Sequence, residues 1–288
     1  MKKTLSYALL LCAASSPAQQ QVKVNDEPVF GPVRSFTITD YHTVKKNGEW
    51  IKQEVRSPAW DPDYACVLDT YGHLIERKEF DENGRVIDSG ENEYDAKGNI
   101  IRAIRHAQNK PADTINYSYM YDEKGNIHQM FQQRVGGTRL TFTYKYNEAG
   151  KMLERYVQRE GDSLPYLQVK NSYDAKGNLI ETAEFNRNKE PGWRYVYVRD
   201  EKGNPVEETW YRQGNKFFIK YFWGYDDKGN RTRCDWVNKK GKIYASWTMQ
   251  YEYDSNGNWT RCLELNTKRV FPLMKRDNII TERKIGYF

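Results

Sequence analysis

Aromatic and polar side chains alternate along much of the chain with a period of two residues. Residues 117–121 read Tyr-Ser-Tyr-Met-Tyr, and residues 142–146 read Phe-Thr-Tyr-Lys-Tyr. Because successive side chains of a β-strand point to opposite faces, this alternation predicts strands with an aromatic face and a mostly polar face. No stretch of the mature chain shows a helical period of apolar residues. The pattern therefore predicts an all-β protein.

A recurrent turn motif separates the strands, with an acid or its amide placed three residues before a glycine. Nine copies occur, and from Gly98 onward their glycines are 25 to 28 residues apart. Glycine takes the positive φ that a type I turn with a following bulge requires, and the Asp side chain accepts backbone N–H groups of the turn. The residues that we assign to this structural role are Asp95, Gly98, Asp122, Gly125, Asp174, Gly177, Asp226, Gly229, Asp254 and Gly257.

A second, looser turn lies near the middle of each long interval, as at residues 135–138 and 239–242. One repeat is therefore two strands and two turns, and a fixed period of this length is typical of repeat architectures. Sequential hairpins make an antiparallel meander. We predict an all-β fold in which tandem hairpins form one curved or spiralling sheet.

The intact motif Y-D-x-x-G-N-[LI] occurs at Tyr94–Ile100, Tyr121–Ile127 and Tyr173–Leu179. It resembles the YD repeat of the Rhs and teneurin families, over about residues 66–265. The resemblance implies a long antiparallel sheet that spirals with its aromatic side chains turned inward. Large members of these families wrap the sheet into a shell around a cargo. This chain has too few strands for a closed shell on that pattern, so neither shell nor cargo is implied.

The N-terminus is typical of a secretory signal peptide, which we place at residues 1–18. Lys2 and Lys3 precede a mostly apolar stretch over residues 5–14, and residues 16–18 form a small-x-small cleavage site. Lipidation of Cys12 stays open as an alternative. No other segment has the roughly 18 apolar residues of a membrane helix. We expect an exported protein of the periplasm, the cell surface or the medium.

We predict that residues 19–288 form a single β domain. Residues 19–66 would add an N-terminal hairpin to the sheet, residues 67–265 would hold the repeats, and residues 266–288 would supply a C-terminal strand. An outer-membrane barrel is disfavoured because Glu282 and Lys284 share a face with Phe288, where lipid-facing side chains are apolar.

The charge of the chain narrows the possible partners. The net charge of +6 falls to +4 once the two leader lysines are removed, and no basic block occurs, so nucleic acid is not an expected partner.

Cys234 and Cys262 occupy equivalent positions two strands apart, about 9.5–10 Å, which exceeds the roughly 7 Å limit of a disulfide. Strand parity places Cys66 on the opposite face. We predict three free thiols in the mature chain.

The sequence contains no recognisable set of catalytic residues. The four histidines accompany no nucleophile motif, and there is no metalloprotease or phosphate-binding motif. The turn aspartates have a sufficient structural role, and the glycine spacing does not fit an EF-hand calcium loop. We therefore expect a non-catalytic binding or structural module of the bacterial envelope or surface, without a metal or cofactor.

Tryptophan is concentrated near the C-terminal end, with six of eight residues between positions 193 and 259. Parity counted from the turns places Trp210 and Trp236 on the polar face and the others on the tyrosine face. Aromatic rings on a regular sheet can stack on sugars, although the same rings could simply form the core. The candidate glycan-binding residues are Trp210, Trp236, Trp223, Trp247 and Trp259.

Two other functions stay open from the sequence. An envelope protein could pair with an open edge of the sheet. Alternatively, an envelope polysaccharide hydrolase would require two carboxylates roughly 5–9.5 Å apart in a cleft. The sequence predicts neither the ligand's identity nor the oligomeric state.

Overall fold

The computed structural model describes residues 22–24, 27–58, 61–269 and 278–288. The predicted leader and Cys12 lie outside these residues. The described strands are β1 (Val22–Val24), β2 (Glu27–Val29), β3 (Val33–Lys46), β4 (Glu49–Val55), β5 (Asp63–Leu68), β6 (Leu74–Phe80), β7 (Val86–Tyr94), β8 (Ile100–Ala107), β9 (Asp113–Tyr121), β10 (Ile127–Arg134), β11 (Arg139–Tyr146), β12 (Met152–Arg159), β13 (Tyr166–Tyr173), β14 (Leu179–Phe185), β15 (Pro191–Arg199), β16 (Pro205–Arg212), β17 (Lys216–Tyr225), β18 (Arg231–Val237), β19 (Ile243–Tyr253), β20 (Trp259–Arg269) and β21 (Ile279–Tyr287). Across this part of the chain, no helix has the length and apolar character needed to cross a bilayer.

The turn motif forms the same set of hydrogen bonds at each copy of Asp-x-x-Gly. Asp95 Oδ1 accepts the backbone N–H groups of Lys97 and Asn99, both at 2.9 Å, while the Gly98 N–H donates to the Asp95 carbonyl. Gly98 has a φ of 79°, a conformation that glycine adopts without steric cost. The same backbone contacts recur at Asp122–Gly125, Asp174–Gly177, Asp226–Gly229 and Asp254–Gly257.

A β-bulge follows the turn in each of the eight motif hairpins whose pairing the structure describes. Between β17 and β18, Tyr225 pairs with Arg231 and Gly224 with Arg233, so Thr232 is left as an extra residue. The corresponding extra residues of the other hairpins are Ile75, Ile87, Ile101, His128, Leu153, Ile180 and Val206. An extra residue shifts the alternation of faces along the rest of its strand.

The bulge explains why our assignment of two tryptophans to the polar face was wrong. Trp210 pairs directly with Tyr195, and Trp236 pairs directly with Tyr221. Paired residues of neighbouring strands share a face. Both tryptophans therefore lie on the tyrosine face, one position away from where an unbroken alternation placed them.

The same shift overturns our prediction that Cys66 and Cys262 lie on opposite faces of the sheet. Cys66 precedes its turn and Cys262 follows one, and both lie in one buried cluster. Cys234 is buried as well, and none of the three described cysteines forms a disulfide. The placement of Cys66 on the opposite face from Cys262 was wrong.

The strands form an antiparallel meander of hairpins, as predicted, but the sheet closes on itself. The pairing order runs through β3 to β21 and returns to β3, which makes a closed barrel topology. Glu282 of β21, for example, pairs with Thr39 of β3. The prediction of an open or spiralling sheet was therefore wrong. The resemblance to the YD-repeat families implied a spiralling sheet, and we expected too few strands for closure. The closed strand order contradicts both expectations.

Strand β3 is long enough to pair with two strands on one side. Its residues 35–38 pair with β5, and its residues 41–46 pair with β4. These two short strands follow one another along β3 and occupy one position. Among the described residues the closed order therefore has 18 strand positions.

The chain divides into two compact units, the first with residues up to 114, residues 249–265 and the C-terminal strand, and the second with residues 115–248 and a short segment from 266. The single-domain organisation stays a prediction. The core of the first unit contains Val29, Val33, Phe36, Ile38, Cys66, Leu68, Trp259 and Cys262. The core of the second contains Ile127, Met130, Phe142, Tyr144 and Val157, with tyrosines packed around it.

Candidate functional site

A continuous row of aromatic rings crosses five consecutive strands of the second unit, β15 to β19. We call it the aromatic row, and its members are Trp193, Tyr195, Trp210, Tyr221, Trp236 and Trp247. Trp210 lies 5.4 Å from Tyr195 and 5.1 Å from Tyr221 between ring centroids. Trp236 continues the row, 5.8 Å from Tyr221 and 4.7 Å from Trp247. Each ring therefore touches a ring of the next strand.

The pairing of the strands produces this row. Side chains at paired positions of adjacent strands are close enough to interact, and aromatic pairs are among the more stabilising of such contacts. Contacts between rings of neighbouring strands are edge-to-face or tilted, with interplanar angles of 88° for Tyr195 and Trp210 and 90° for Tyr221 and Trp236. Contacts along one strand are parallel, as between Trp193 and Tyr195 at 13°.

The row differs from the two cores in its exposure. Only Trp247 is buried, with 5% of its surface exposed, whereas the other five rings are half-buried. None of the six belongs to the core cluster of the second unit. The row is therefore an aromatic surface that solvent reaches.

A buried carboxylate stands on the same face as the row. Glu208 is 9% exposed and pairs with Tyr197 on one side and Tyr221 on the other. Its Oε2 accepts the indole N–H of Trp210 at 3.3 Å. Burial raises the pKa of Tyr197 to about 12, and the negative charge of Glu208 contributes to the rise. The sequence patterns used above gave no signal for Glu208.

Guanidinium groups lie at two margins of the row. Arg212 Cζ lies 3.8 Å from the ring centroid of Phe218, which in turn contacts Trp193. Arg231 Cζ lies 4.1 Å from the ring of Trp223, which stacks on Tyr221 at 5.6 Å. Half-buried rings, one buried carboxylate and flanking cations make a surface that can stack on a sugar ring and bond its hydroxyls.

The structure brings four of the five candidate tryptophans together. Trp210, Trp236 and Trp247 are members of the row, and Trp223 adjoins it through Tyr221. Trp259 belongs to the core of the first unit instead. It is 4% exposed, and the guanidinium carbon of the buried Arg283 lies 3.7 Å from its ring.

A second group of polar residues, in the first unit, surrounds the buried Asp63 and the half-buried Asp40. Asp63 Oδ1 accepts the backbone N–H of Asp40 at 3.0 Å, and Asp40 Oδ1 accepts the Thr281 hydroxyl at 2.6 Å. Arg56 lies 3.6 Å from Asp40. Burial raises the pKa of both aspartates to about 6. Ser57 Oγ accepts the Asp63 N–H, so this group ties β3, β5 and β21 together.

Within the described ranges, no three His, Cys, Asp or Glu side chains are grouped so that they could hold a metal ion.

No protein-family model matches the chain, and no curated protein matches it. Among solved structures, a porin-like protein from Bacteroides uniformis ATCC 8492 has 9% sequence identity and a TM-score of 0.42, over 90% of this chain and 98% of that one. A porin-like protein from Bacteroides vulgatus ATCC 8482 has 10% identity and a TM-score of 0.32, over 88% and 97%. The TcdB2-TccC3 structure has 13% identity and a TM-score of 0.37, over 76% of this chain but only 12% of that one. All three TM-scores are below 0.5, so neither a structural nor a functional conclusion follows from these likenesses.

Proposed function

We propose that this protein is an exported, non-catalytic binding module that holds a glycan against its aromatic row. One observation carries the proposal: six rings from five strands form an uninterrupted row, and five of them are only half-buried, outside the buried core cluster of the unit. Export rests on the leader predicted at residues 1–18, and periplasm, cell surface and medium all fit it.

The chemistry of the row suits a sugar better than a purely apolar ligand. A pyranose presents C–H groups on its faces and hydroxyls around its edge, so it pairs with aromatic rings and polar side chains together. Glu208 supplies a fixed acceptor next to Trp210, and the partly exposed indole and phenol groups add hydrogen-bonding atoms.

Hydrolysis of the bound glycan is less well supported. The carboxylates on this face are Glu184, opposite β15 near Trp193, and Glu208, opposite Tyr197. Two strands and four residues separate them, so strand spacing and rise put their Cα atoms about 16 Å apart. Glycosidases place their two carboxyl groups roughly 5–9.5 Å apart. The arrangement therefore supports binding over catalysis.

A protein partner that adds a strand to an open edge is also less well supported. In the cyclic order the described strands from β3 to β21 have neighbours on both sides, apart from the short β4, whose described pairing is with β3. Such a partner needs an unpaired strand edge. An envelope protein could still bind this module through side chains.

Titration of intrinsic tryptophan fluorescence with a panel of envelope and dietary glycans tests the proposal. A ligand that displaces water from the row changes the emission of several tryptophans at once, so we expect a saturable shift with at least one glycan. The absence of any shift across the panel, in protein shown to be folded, would contradict it.

A further inference from the structure

A groove of about 340 Å³ lies over strands β9, β10 and β11 of the second unit. Its lining residues are Asn116, Tyr117, Ser118, Phe131, Gln133 and Arg139. Ser118 pairs with Phe131, while Asn116 pairs with Gln133, which pairs with Arg139 on the next strand. Three adjacent strands therefore direct these polar side chains to one place. The aromatic row does not contribute to it.

Arg139 gives the groove a pre-oriented cation. Its Cζ lies 4.3 Å from the ring centroid of Phe131, so the flat guanidinium rests on the ring. Stacking of this kind fixes the plane of the group and leaves its N–H edges open to a ligand. Within the part of the chain that the structure describes, the guanidinium forms no ion pair. Glu160 bonds instead to the backbone N–H of Arg139, at 3.2 Å.

Acceptor and donor groups lie beside this cation. Gln133 donates its side-chain N–H groups to the carbonyls of Arg134 and Gly137, at 3.0 and 2.8 Å, so its Oε1 is the side-chain atom that can accept a hydrogen bond from a ligand. Asn116 and Ser118 are exposed and supply an amide and a hydroxyl. A guanidinium fork matches a carboxylate in a two-point contact, and amide and hydroxyl groups match the hydroxyls of a sugar.

We propose that this groove binds an acidic sugar, with the uronate carboxylate on Arg139 and the adjacent ring hydroxyls on Asn116, Ser118 and Gln133. The site is separate from the aromatic row and does not depend on the function proposed for it.

Calorimetric titration of the full chain with a trigalacturonate tests the proposal, with its methyl ester and sodium sulfate as comparison ligands. We expect saturable binding of the acid and none of the ester. Arg139→Gln should weaken binding at least tenfold, because a charge-assisted contact is lost, and Arg139→Lys should weaken it less. Arg102→Gln removes an equally exposed cation, paired with Glu93, and should leave binding unchanged.

Three results would overturn the proposal. Equal affinity for the acid and its ester would remove the carboxylate from the interaction. Equal affinity of the Arg139→Gln variant, once its circular dichroism matches the parent, would remove Arg139. Full competition by sulfate at the same concentration as the sugar would reduce the groove to a general anion site.

Discussion

Asn258 and the backbone of Phe30 exchange two hydrogen bonds across 228 residues of the chain. The Phe30 N–H donates to Asn258 Oδ1 and Asn258 Nδ2 donates to the Phe30 carbonyl, each at 2.7 Å. Asn258 is 1% exposed and also donates to the Tyr287 hydroxyl, which bonds Asp254. The last turn motif therefore fastens both an N-terminal and a C-terminal segment of the first unit.

We expect Asn258→Ala to destabilise the protein by roughly 2–4 kcal/mol, because two polar backbone groups lose their partners and each costs about 1–3 kcal/mol. Asn126 occupies the same place in an earlier motif but donates only to its own Asp122, at 2.9 Å. The matched control Asn126→Ala should therefore cost about 1 kcal/mol. Urea unfolding measures both. Equal losses in the two variants would contradict the special role of Asn258.

Gly98 should tolerate alanine less well than Gly125, although both have a positive φ, of 79° and 82°. At Gly125 a Cβ meets no atom within 4 Å, so Gly125→Ala carries only the backbone cost, about 1–2 kcal/mol. At Gly98 the Cβ would lie 2.7 Å from Nε2 of His73. That ring is held by stacking on Tyr94 at 4.7 Å and by Asp69.

We expect the free energy of unfolding to fall further in Gly98→Ala than in Gly125→Ala, by about 1 kcal/mol or more. The additional variant His73→Ala removes the contact, so the difference between the alanine substitutions should shrink in that background. A difference that persists without the His73 ring would show that the clash is not its cause.

Local features of this fold could be predicted from the sequence, but closure could not. The turns follow from Asp and Gly spacing because their hydrogen bonds join residues at most four apart, as between Asp95 and Asn99. Pairing of Glu282 with Thr39 joins the two ends of the chain and leaves no local pattern. The resemblance of the motif to open-sheet families favoured the wrong answer for the same reason: it describes the turn, not the pairing of distant strands.

The candidate site was partly predictable, and the error in our prediction of it has one cause. Six clustered tryptophans identified the region, yet Trp210 and Trp236 were placed on the wrong face because the bulge after each turn was not counted. The aliphatic pairs that follow several turns, such as Ile100–Ile101, were a usable signal. Ile101 is the extra residue there, and its partner position is empty. Glu208 could not be found because its role depends on neighbours from β15 and β17.

Protonation of Asp40 and Asp63 should make the protein more stable in mild acid than at neutral pH. The pKa values of these two aspartates, about 6, lie above the ordinary value of 3.8 because their partial removal from water disfavours the charged forms. Folding therefore favours their protonated forms. This contribution is complete below pH 3.8 and is lost as the pH rises through 6.

We expect the free energy of unfolding to be about 1–2 kcal/mol higher at pH 5 than at pH 7.5. Asp40→Asn, which keeps an acceptor for Thr281, should flatten this dependence and stabilise the protein at pH 7.5. Below pH 4 the trend should reverse, because hydrogen bonds lower the pKa of turn aspartates such as Asp95 and Asp122. An Asp40→Asn variant with the parent's pH profile would refute this explanation.

The three cysteines of the mature chain should react slowly with alkylating reagents while the protein is folded. All are buried, and burial raises the pKa of the Cys66 thiol to about 12, whereas the thiolate is the reactive form. Mass spectrometry after iodoacetamide treatment, without reductant, should show no adduct in buffer and one adduct per thiol in denaturant. Ser118→Cys, on the exposed polar face, is the control that should react rapidly. Missing adducts at Cys234 and Cys262 in denaturant would indicate a disulfide and contradict the strand order.

The fluorescence titration, repeated on matched tryptophan variants with the best glycan of the panel, tests the central claim most directly. Trp236→Phe and Trp210→Phe keep a ring in the row but remove the indole, and the Trp210 change also removes the hydrogen bond from the indole to Glu208. Trp50, half-buried on the N-terminal hairpin, is outside the row and supplies the control Trp50→Phe. The account predicts that the two row variants bind at least tenfold more weakly while the control binds like the parent. Equal affinity in all three variants would show that the glycan does not bind on the aromatic row.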